Sequence, residues 1–394
     1  MAQGVSSSGE WSGADSSGAD SSGTDSSADP LSVEHAARTL MRGELVAFPT
    51  ETVYGLGADA ANAQAVARIY AAKGRPSSHP VIVHIASPSD MAAWCSHIPD
   101  QAWQLAQAFW PGPLTLILKR HPDVDPAVSG GQSTIGVRCP AHPVAQALLS
   151  AFADLKRQAG QTRAGVAAPS ANRFGRVSPT RAQHVRDEFA DLVADGTSVG
   201  TSVGMPVLEG GDSEVGIESS IVDVSSVDEG GAVAMLRPGA ISAEDVAKVL
   251  GQPIAGYQAS SPRVSGSLKA HYAPSTPVVL CSPEDLSHAV ADALAKEQGR
   301  LAVVTHGAHG TLDERLFDGH VFDDHVFDDR LVVLRMPDSP ADYARALYAR
   351  LRELDALGVV AAFVEAVPDE PAWAGVRDRL QRAAAAFEGR GNPL

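Results

Sequence analysis

The sequence predicts an α/β protein, an open twisted sheet domain followed by a linker and a small Rossmann-like α/β domain, and three observations carry that reading. Short apolar runs alternate with helix-like stretches in both halves of the 394-residue chain, the pattern of sheets covered by helices. Residues 251 to 275 are rich in Ser, Pro and Gly and lack periodicity, which marks a division between halves. A hydrophobic fraction of 44% is ample for packed cores on both sides of it.

Taken in order, residues 1 to 30 repeat Ser-Ser-Gly-Ala-Asp and carry Glu10, Asp15, Asp20, Asp25 and Asp29 without a single Lys or Arg. Such a segment has almost nothing to bury and is expected to be a disordered, solvating tail. From 31 to 250 the strand-like runs are 45–48, 81–85, 114–118, 165–168 and 221–224. Between them, 64–73 places Val66, Ile69 and Tyr70 on one side of a helix that stops at Gly74, and Thr180 is a candidate N-cap for a helix over 181–189. After the linker, residues 276 to 394 offer strands at 278–281, 301–305, 331–334 and 359–364, with a helix over 340–354 behind a Ser339 cap. This alternation reads as a small parallel sheet. Two near-duplications, at 197–204 and 320–329, read as loop insertions, since two copies do not make a solenoid.

Charge and cysteine usage exclude several classes. The formal charge is −16, which argues against an extended nucleic-acid surface, because phosphate neutralisation needs clustered Lys and Arg. Cys95, Cys139 and Cys281 lie far apart with no Cys-x-x-Cys, so neither a zinc site nor a disulfide framework is suggested. No run approaches the roughly 20 apolar residues of a membrane span, and the N-terminus lacks a basic region followed by an apolar one. A cytoplasmic location is the expectation. His306, His309, His320 and His325 have no Cys or catalytic Glu at zinc spacing and read as solvated loop residues.

Chemistry concentrates elsewhere. The strand ending at Phe48 breaks at Pro49 into Thr50-Glu51-Thr52-Val53-Tyr54-Gly55-Leu56-Gly57, and one short helix later come Lys73-Gly74-Arg75-Pro76 and His79-Pro80-Val81-Ile82-Val83-His84. Hydroxyls, two cations and an imidazole suit a small anionic ligand. Further along stand Ser133-Thr134-Ile135-Gly136-Val137-Arg138, Ala168-Pro169-Ser170-Ala171-Asn172, Gly216-Ile217-Glu218-Ser219-Ser220, Leu236-Arg237-Pro238-Gly239 and Lys269-Ala270-His271-Tyr272-Ala273-Pro274. In this order the motifs resemble those of the YrdC/Sua5 family, the threonylcarbamoyl-AMP synthases of tRNA modification. The last of them resembles the linker of the longer, two-domain Sua5 branch, and the resemblance covers roughly residue 31 to the C-terminus.

The resemblance implies a YrdC-like first domain and a nucleotidyltransferase that makes threonylcarbamoyl-AMP and pyrophosphate from L-threonine, bicarbonate and ATP. Mg2+ would accompany the ATP phosphates rather than sit in a protein cage, and a separate tRNA threonylcarbamoyl transferase would be the downstream partner. Because the attacking carbamate is already an anion, the site must gather anions and stabilise charge on phosphate, without a covalent nucleophile. By resemblance Lys73 and Arg75 supply that charge. Thr52, His84, Arg138, Ala168 and Ser219 match threonine-binding positions, and Arg138, two residues after Gly136, is the candidate clamp for the substrate carboxylate. Arg75, His79, Thr134, Ser170, Asn172, Arg176, Arg237 and Tyr272 match the ATP site, with His79 standing where the family more often has Asn. Residues 265 to 274 are expected to form a lid over ATP, with Lys269 and Tyr272 as its contacts.

Rival readings lack their signatures. Gly55-Leu56-Gly57 is not followed by a third glycine, no Gly-x-x-x-x-Gly-Lys occurs, and there is no Gly-x-Ser-x-Gly elbow. A hydrogenase maturation factor sharing the YrdC-like domain would carry paired Cys-x-x-Cys elements, which are absent. The alternative from another class is an RNA-binding module of the same fold, its cleft accepting nucleic acid instead of small substrates.

Overall fold

The computed structural model describes residues 30–193, 204–306 and 330–388. The acidic segment up to residue 29, nearly all of both near-duplications, and His309, His320 and His325 lie outside the described residues.

The first half forms a nine-stranded mixed sheet. Its strands are β1 (Val46–Phe48), β2 (Gly55–Asp59), β3 (Ile82–His84), β4 (Cys95–His97), β5 (Leu114–Arg120), β6 (Thr134–Arg138), β7 (Val166–Ala167), β8 (Ser220–Asp223) and β9 (Ala234–Arg237). They run in the order β1-β2-β7-β3-β6-β5-β8-β9, with β4 paired to β5. β3 is parallel to β6, and the register sets His84 beside Arg138. The alternation of side chains along β3 then turns Ile82 and His84 to one face and Val83 to the core.

Helices α1 (Pro30–Met41), α2 (Ala63–Lys73), α3 (Met91–Trp94), α4 (Asp100–Phe109), α5 (Pro143–Gln158), α6 (Ala182–Glu188) and α7 (Ala243–Leu250) cover this sheet. Leu105 of α4 and Val185 of α6 pack with Val83, Leu116 and Val137 of the strands, while Leu40 of α1 and Leu148 of α5 pack with Val46, Phe48 and Val166. The α2 helix starts because the Asn62 side chain accepts the Gln64 and Ala65 N–H groups, and it stops at Gly74 in the left-handed region. Its last residue, Lys73, is thereby delivered to the interior.

Three local expectations need correction. Residues 55–59 form an interior strand, second from the sheet's edge, where a loop was expected, since Gly-Leu-Gly-Ala-Asp has little β propensity and owes its conformation to pairing with β1 and β7. Thr180 does not cap α6; the cap position is Arg181, and the Thr180 N–H donates to Nδ1 of His184, which supplies the acceptor from within the helix. His306 is not a solvated loop residue: it ends a strand of the second sheet, its ring 5.6 Å from that of Trp373 and 6.1 Å from that of Tyr343.

That second sheet contains β10 (Val278–Cys281), β11 (Leu301–His306), β12 (Leu331–Met336) and β13 (Ala361–Glu365) in the order β10-β13-β11-β12. All its pairings are parallel, as a Rossmann-like sheet requires. Helix α8 (Pro283–Lys296) covers one face, and α9 (Pro340–Ala356) and α10 (Ala374–Ala385) the other. Ser339 caps α9 by accepting the Asp342 N–H. The apolar cluster under α9 and α10 continues into the first half, taking in Val53, Val177, Ile217 and, from the connecting segment, Tyr272. Among the described residues no helix is long and apolar enough to cross a membrane.

Candidate active site

A cavity of about 600 Å³ of empty space, counting its mouth, opens where β2, β3, β6, the loops after β1 and β7 and the loop before β8 meet the connecting segment. Thr52, Lys73, Arg75, His84, Arg138, Ala168, Ser170, Asn172, Ser219, Arg237 and Tyr272 all line it. Residues from all eight stretches are thus brought to one place. Three expected site residues stand elsewhere. Thr134 lines a smaller groove that shares only Ile82 and Ser265 with the main cavity. His79 is half-buried against Phe174, the rings 5.5 Å apart, and exposed Arg176 donates to Ser275 Oγ at 2.8 Å.

Each cation is held by its backbone surroundings. Lys73 Nζ donates to the carbonyl oxygens of Ser170, at 2.5 Å, and Asn172, which ties α2 to the loop after β7 and leaves one ammonium N–H. Arg75 Nη2 donates to Pro80 O at 2.7 Å and to Ser265 Oγ at 3.0 Å. Arg237 encloses Ser219, its Nε and Nη2 reaching Ser219 O at 3.0 and 2.8 Å. Burial drives the Lys73 ammonium well below its ordinary range, with Arg75 adding to the effect, and drives Arg75 down to about 10. Burial lowers Arg237 as well. Crowded cations that burial and mutual repulsion both disfavour are what an incoming anion would relieve.

Arg138 sits opposite. Its Nη1 donates to Thr52 Oγ1 at 2.8 Å, its Nη2 to Glu51 Oε1 at 2.7 Å, and its Nε to Gly112 O at 3.3 Å. Each Nη has one N–H beyond these bonds, on a group whose planar fork suits a carboxylate. Burial, then the Arg138 charge, holds His84 at about 3, so its imidazole is neutral at neutral pH. Burial does the same to His271.

The lining is also short of partners. Arg75 Nε, His84 Nδ1, Asn172 Oδ1, His271 Nδ1 and the Tyr272 hydroxyl are buried and make no hydrogen bond, although buried polar groups are normally satisfied. Orphans converging on one cavity indicate a polar ligand. The connecting segment crosses this cavity, with Ser265 against Arg75 and Tyr272 buried at φ 60°. Lys269 is not among the pocket contacts expected of a lid; its exposed chain turns away to pair with Glu388 at 2.6 Å.

Sequence reasoning quoted Glu51 and Glu218 within motifs but gave them no role. Both are buried, Glu51 behind the lining on Arg138 and Glu218 in the lining on Ser178, Tyr348 and Arg379. The available signal was a carboxylate beside hydroxyl residues, Thr50 and Thr52 around Glu51 and Ser219 after Glu218.

A mixed sheet with anion-seeking cations at its loops, joined to a small parallel-sheet domain, defines the class, and comparison with known proteins gives the family. Residues 38–239 match the Sua5, YciO and YrdC profile, described as telomere recombination, and residues 241–385 match the profile described as threonylcarbamoyl-AMP synthase, C-terminal domain. The chain belongs to the Sua5/YrdC family. It is 33% identical to the threonylcarbamoyl-AMP synthase of Pyrococcus abyssi over 88% of this chain and 92% of that one. With the Bacillus subtilis protein of the same name the identity is 37%, over 90% and 93%. The crystal structure of P. abyssi Sua5 complexed with L-threonine superposes with a TM-score of 0.74 at 33% identity, covering 91% of this chain and 95% of that one.

Proposed function

We propose that this chain is an L-threonylcarbamoyladenylate synthase, a nucleotidyltransferase that condenses L-threonine with bicarbonate and joins the carbamate to the α-phosphate of ATP. Water leaves in the first step and pyrophosphate in the second. The product would pass to a separate transferase for N6-threonylcarbamoyladenosine formation on tRNA. The observation that carries the reading is the single cavity in which Lys73, Arg75, Arg138 and Arg237 converge among buried, unpartnered polar atoms.

In this reading the free N–H groups of Arg138 take the threonine carboxylate, and Thr52, His84 and Ser219 surround the rest of the amino acid, with Ala168 beside them. Neutral His84 offers Nδ1 to the hydroxyl. Arg75, Lys73, Ser170, Asn172, Arg237 and Tyr272 face the nucleotide, and charge developing on the α-phosphate is met by Lys73 and Arg75. No proton has to be removed from the attacking carbamate, which fits a pocket whose imidazoles are held unprotonated and whose carboxylates are already paired. Mg2+ is assigned to the ATP phosphates and water. Thr134 and His79 would reach nucleotide only if the stretch around Ser265 withdrew and joined the two grooves.

Pyrophosphate release that requires both threonine and bicarbonate, in the absence of RNA, is the expected result. Release independent of threonine, or tight RNA binding without release, would favour the RNA-binding alternative.

A further inference from the structure

Behind the lining of the cavity, the first half packs against the second half of the chain. Arg379 on α10 is fully buried, and it crosses to the first half. Its Nε donates to Glu218 Oε2 at 2.9 Å, its Nη2 to Glu218 O at 3.3 Å, and its Nη1 to Pro238 O at 2.8 Å. Tyr348 on α9, also buried, donates its hydroxyl to the same Glu218 oxygen at 2.7 Å. Glu218 itself lines the cavity, and Pro238 follows Arg237, which lines it too, so what is pinned is one lining residue and the neighbour of another. The Arg379 guanidinium also lies 5.3 Å from the ring of Tyr272, a third lining residue.

This docking is too close to be incidental. A Cβ on Gly216 would come within 2.4 Å of Arg345 Cα on α9, and one on Gly375 of α10 within 2.8 Å of Ile217 Cδ1 and 3.1 Å of Gly239 O. Both helices approach the 216–218 and 237–239 segments at distances only glycine permits.

We infer that Arg379 and Tyr348 are positioning residues of the substrate pocket, holding Glu218 and with it the Glu218–Ser219 and Arg237–Pro238 backbone against which substrates bind. The second half is then a wall of the site and not an appended module. The inference rests on the synthase reading for the identity of the substrates, and on geometry alone for the wall.

The test uses the full chain with Tyr348→Phe and Arg379→Lys. Tyr348→Phe removes one hydrogen bond to a charged group and should keep its melting temperature within about 3 °C, whereas Arg379→Lys keeps the charge but loses the fork that reaches two segments at once. Expected are a threonine KM raised about tenfold with kcat changed less, and amide exchange at least about tenfold faster over 216–220 and 237–239. A residue that only supports the fold would lower the melting temperature and leave KM and these amides alone. Folded variants with unchanged KM and unchanged exchange overturn the inference; if Arg379→Lys does not fold, Tyr348→Phe decides alone. Should the wild type release no pyrophosphate with threonine, the synthase reading fails, and the exchange comparison still decides the wall.

Discussion

Two walls of one cavity differ in how their polar groups are spent. On the wall of Arg75, His84, Asn172, His271 and Tyr272, buried atoms stand without partners. On the wall of Glu218, both carboxylate oxygens are engaged, by Ser178 at 2.6 Å and by Tyr348 and Arg379. Burial pushes the Glu218 carboxyl up, yet Arg379 and Arg237 outweigh it and bring it to about 2. The imidazoles of the first wall are instead pushed the way burial alone would push them, to about 3. Groups whose needs are met inside the fold hold a shape, and groups whose needs are unmet await a ligand.

The largest effect expected from this contrast is discrimination by hydroxyl. If His84, Thr52 or Ser219 pairs with the threonine hydroxyl, valine leaves a buried polar group unpaired and should fall by about 10⁴ in kcat/KM, while serine, lacking only a methyl, should fall by about 10- to 200-fold. Competition assays check this, and equal turnover of valine would break the assignment of the unpartnered wall.

Next is charge at the phosphate. Arg75→Met should lower pyrophosphate release by about 10²- to 10³-fold with nearly unchanged melting, since it removes a cation already disfavoured by burial. Rates near wild type would move the phosphate away from this wall.

A smaller effect separates the walls by pH. His84 and His271 fall from the ordinary 6.5 to about 3 on folding. The unfolded chain therefore takes up protons first, and the stability each gives is complete above pH 6.5 and lost as pH falls toward 3, at up to about 1.4 kcal/mol per unit. Glu218, lowered from 4.5 to about 2, contributes stability above pH 4.5 that is lost only as pH falls through 2. Urea midpoints should thus decline between pH 6.5 and 5, and a flat midpoint there would contradict the buried neutral imidazoles. The least effect belongs to the acidic N-terminal segment: removing residues 2 to 29 should leave kcat/KM and melting unchanged, because it has neither apolar periodicity nor cations. A large loss of activity would make the segment part of the site.

The unpartnered wall was largely legible in the sequence. Taken alone, Ser170 and Asn172 read as a turn and Lys73 as a cation at a helix end; the order of the motifs that also hold Arg75, His84 and Arg138 is what singled them out. The other wall was not. Arg379 lies among Arg377, Asp378 and Arg382 on a helix that reads as a charged surface, and only the docking of α10 against Gly239 and Ile217 buries it. Tyr348 likewise looks like an ordinary core residue until Glu218 is found beneath it. Strand β2 was missed for a related reason, since its conformation comes from neighbours and not from its own residues. Contacts spanning more than a hundred residues, such as Glu218 to Arg379, leave no local periodicity to read.

Calorimetric titration of L-threonine, with a non-hydrolysable ATP analogue present, into the wild type and Arg138→Lys tests the claim most directly. Arg138 joins the walls' shared task, with one N–H on each Nη beyond its bonds to Thr52 Oγ1 and Glu51 Oε1, and a lysine point charge cannot replace that pair. The account predicts saturable binding by the wild type, weakened at least about tenfold in Arg138→Lys at an unchanged melting temperature. Equal affinity in the two proteins, or no threonine binding by the wild type, would contradict it.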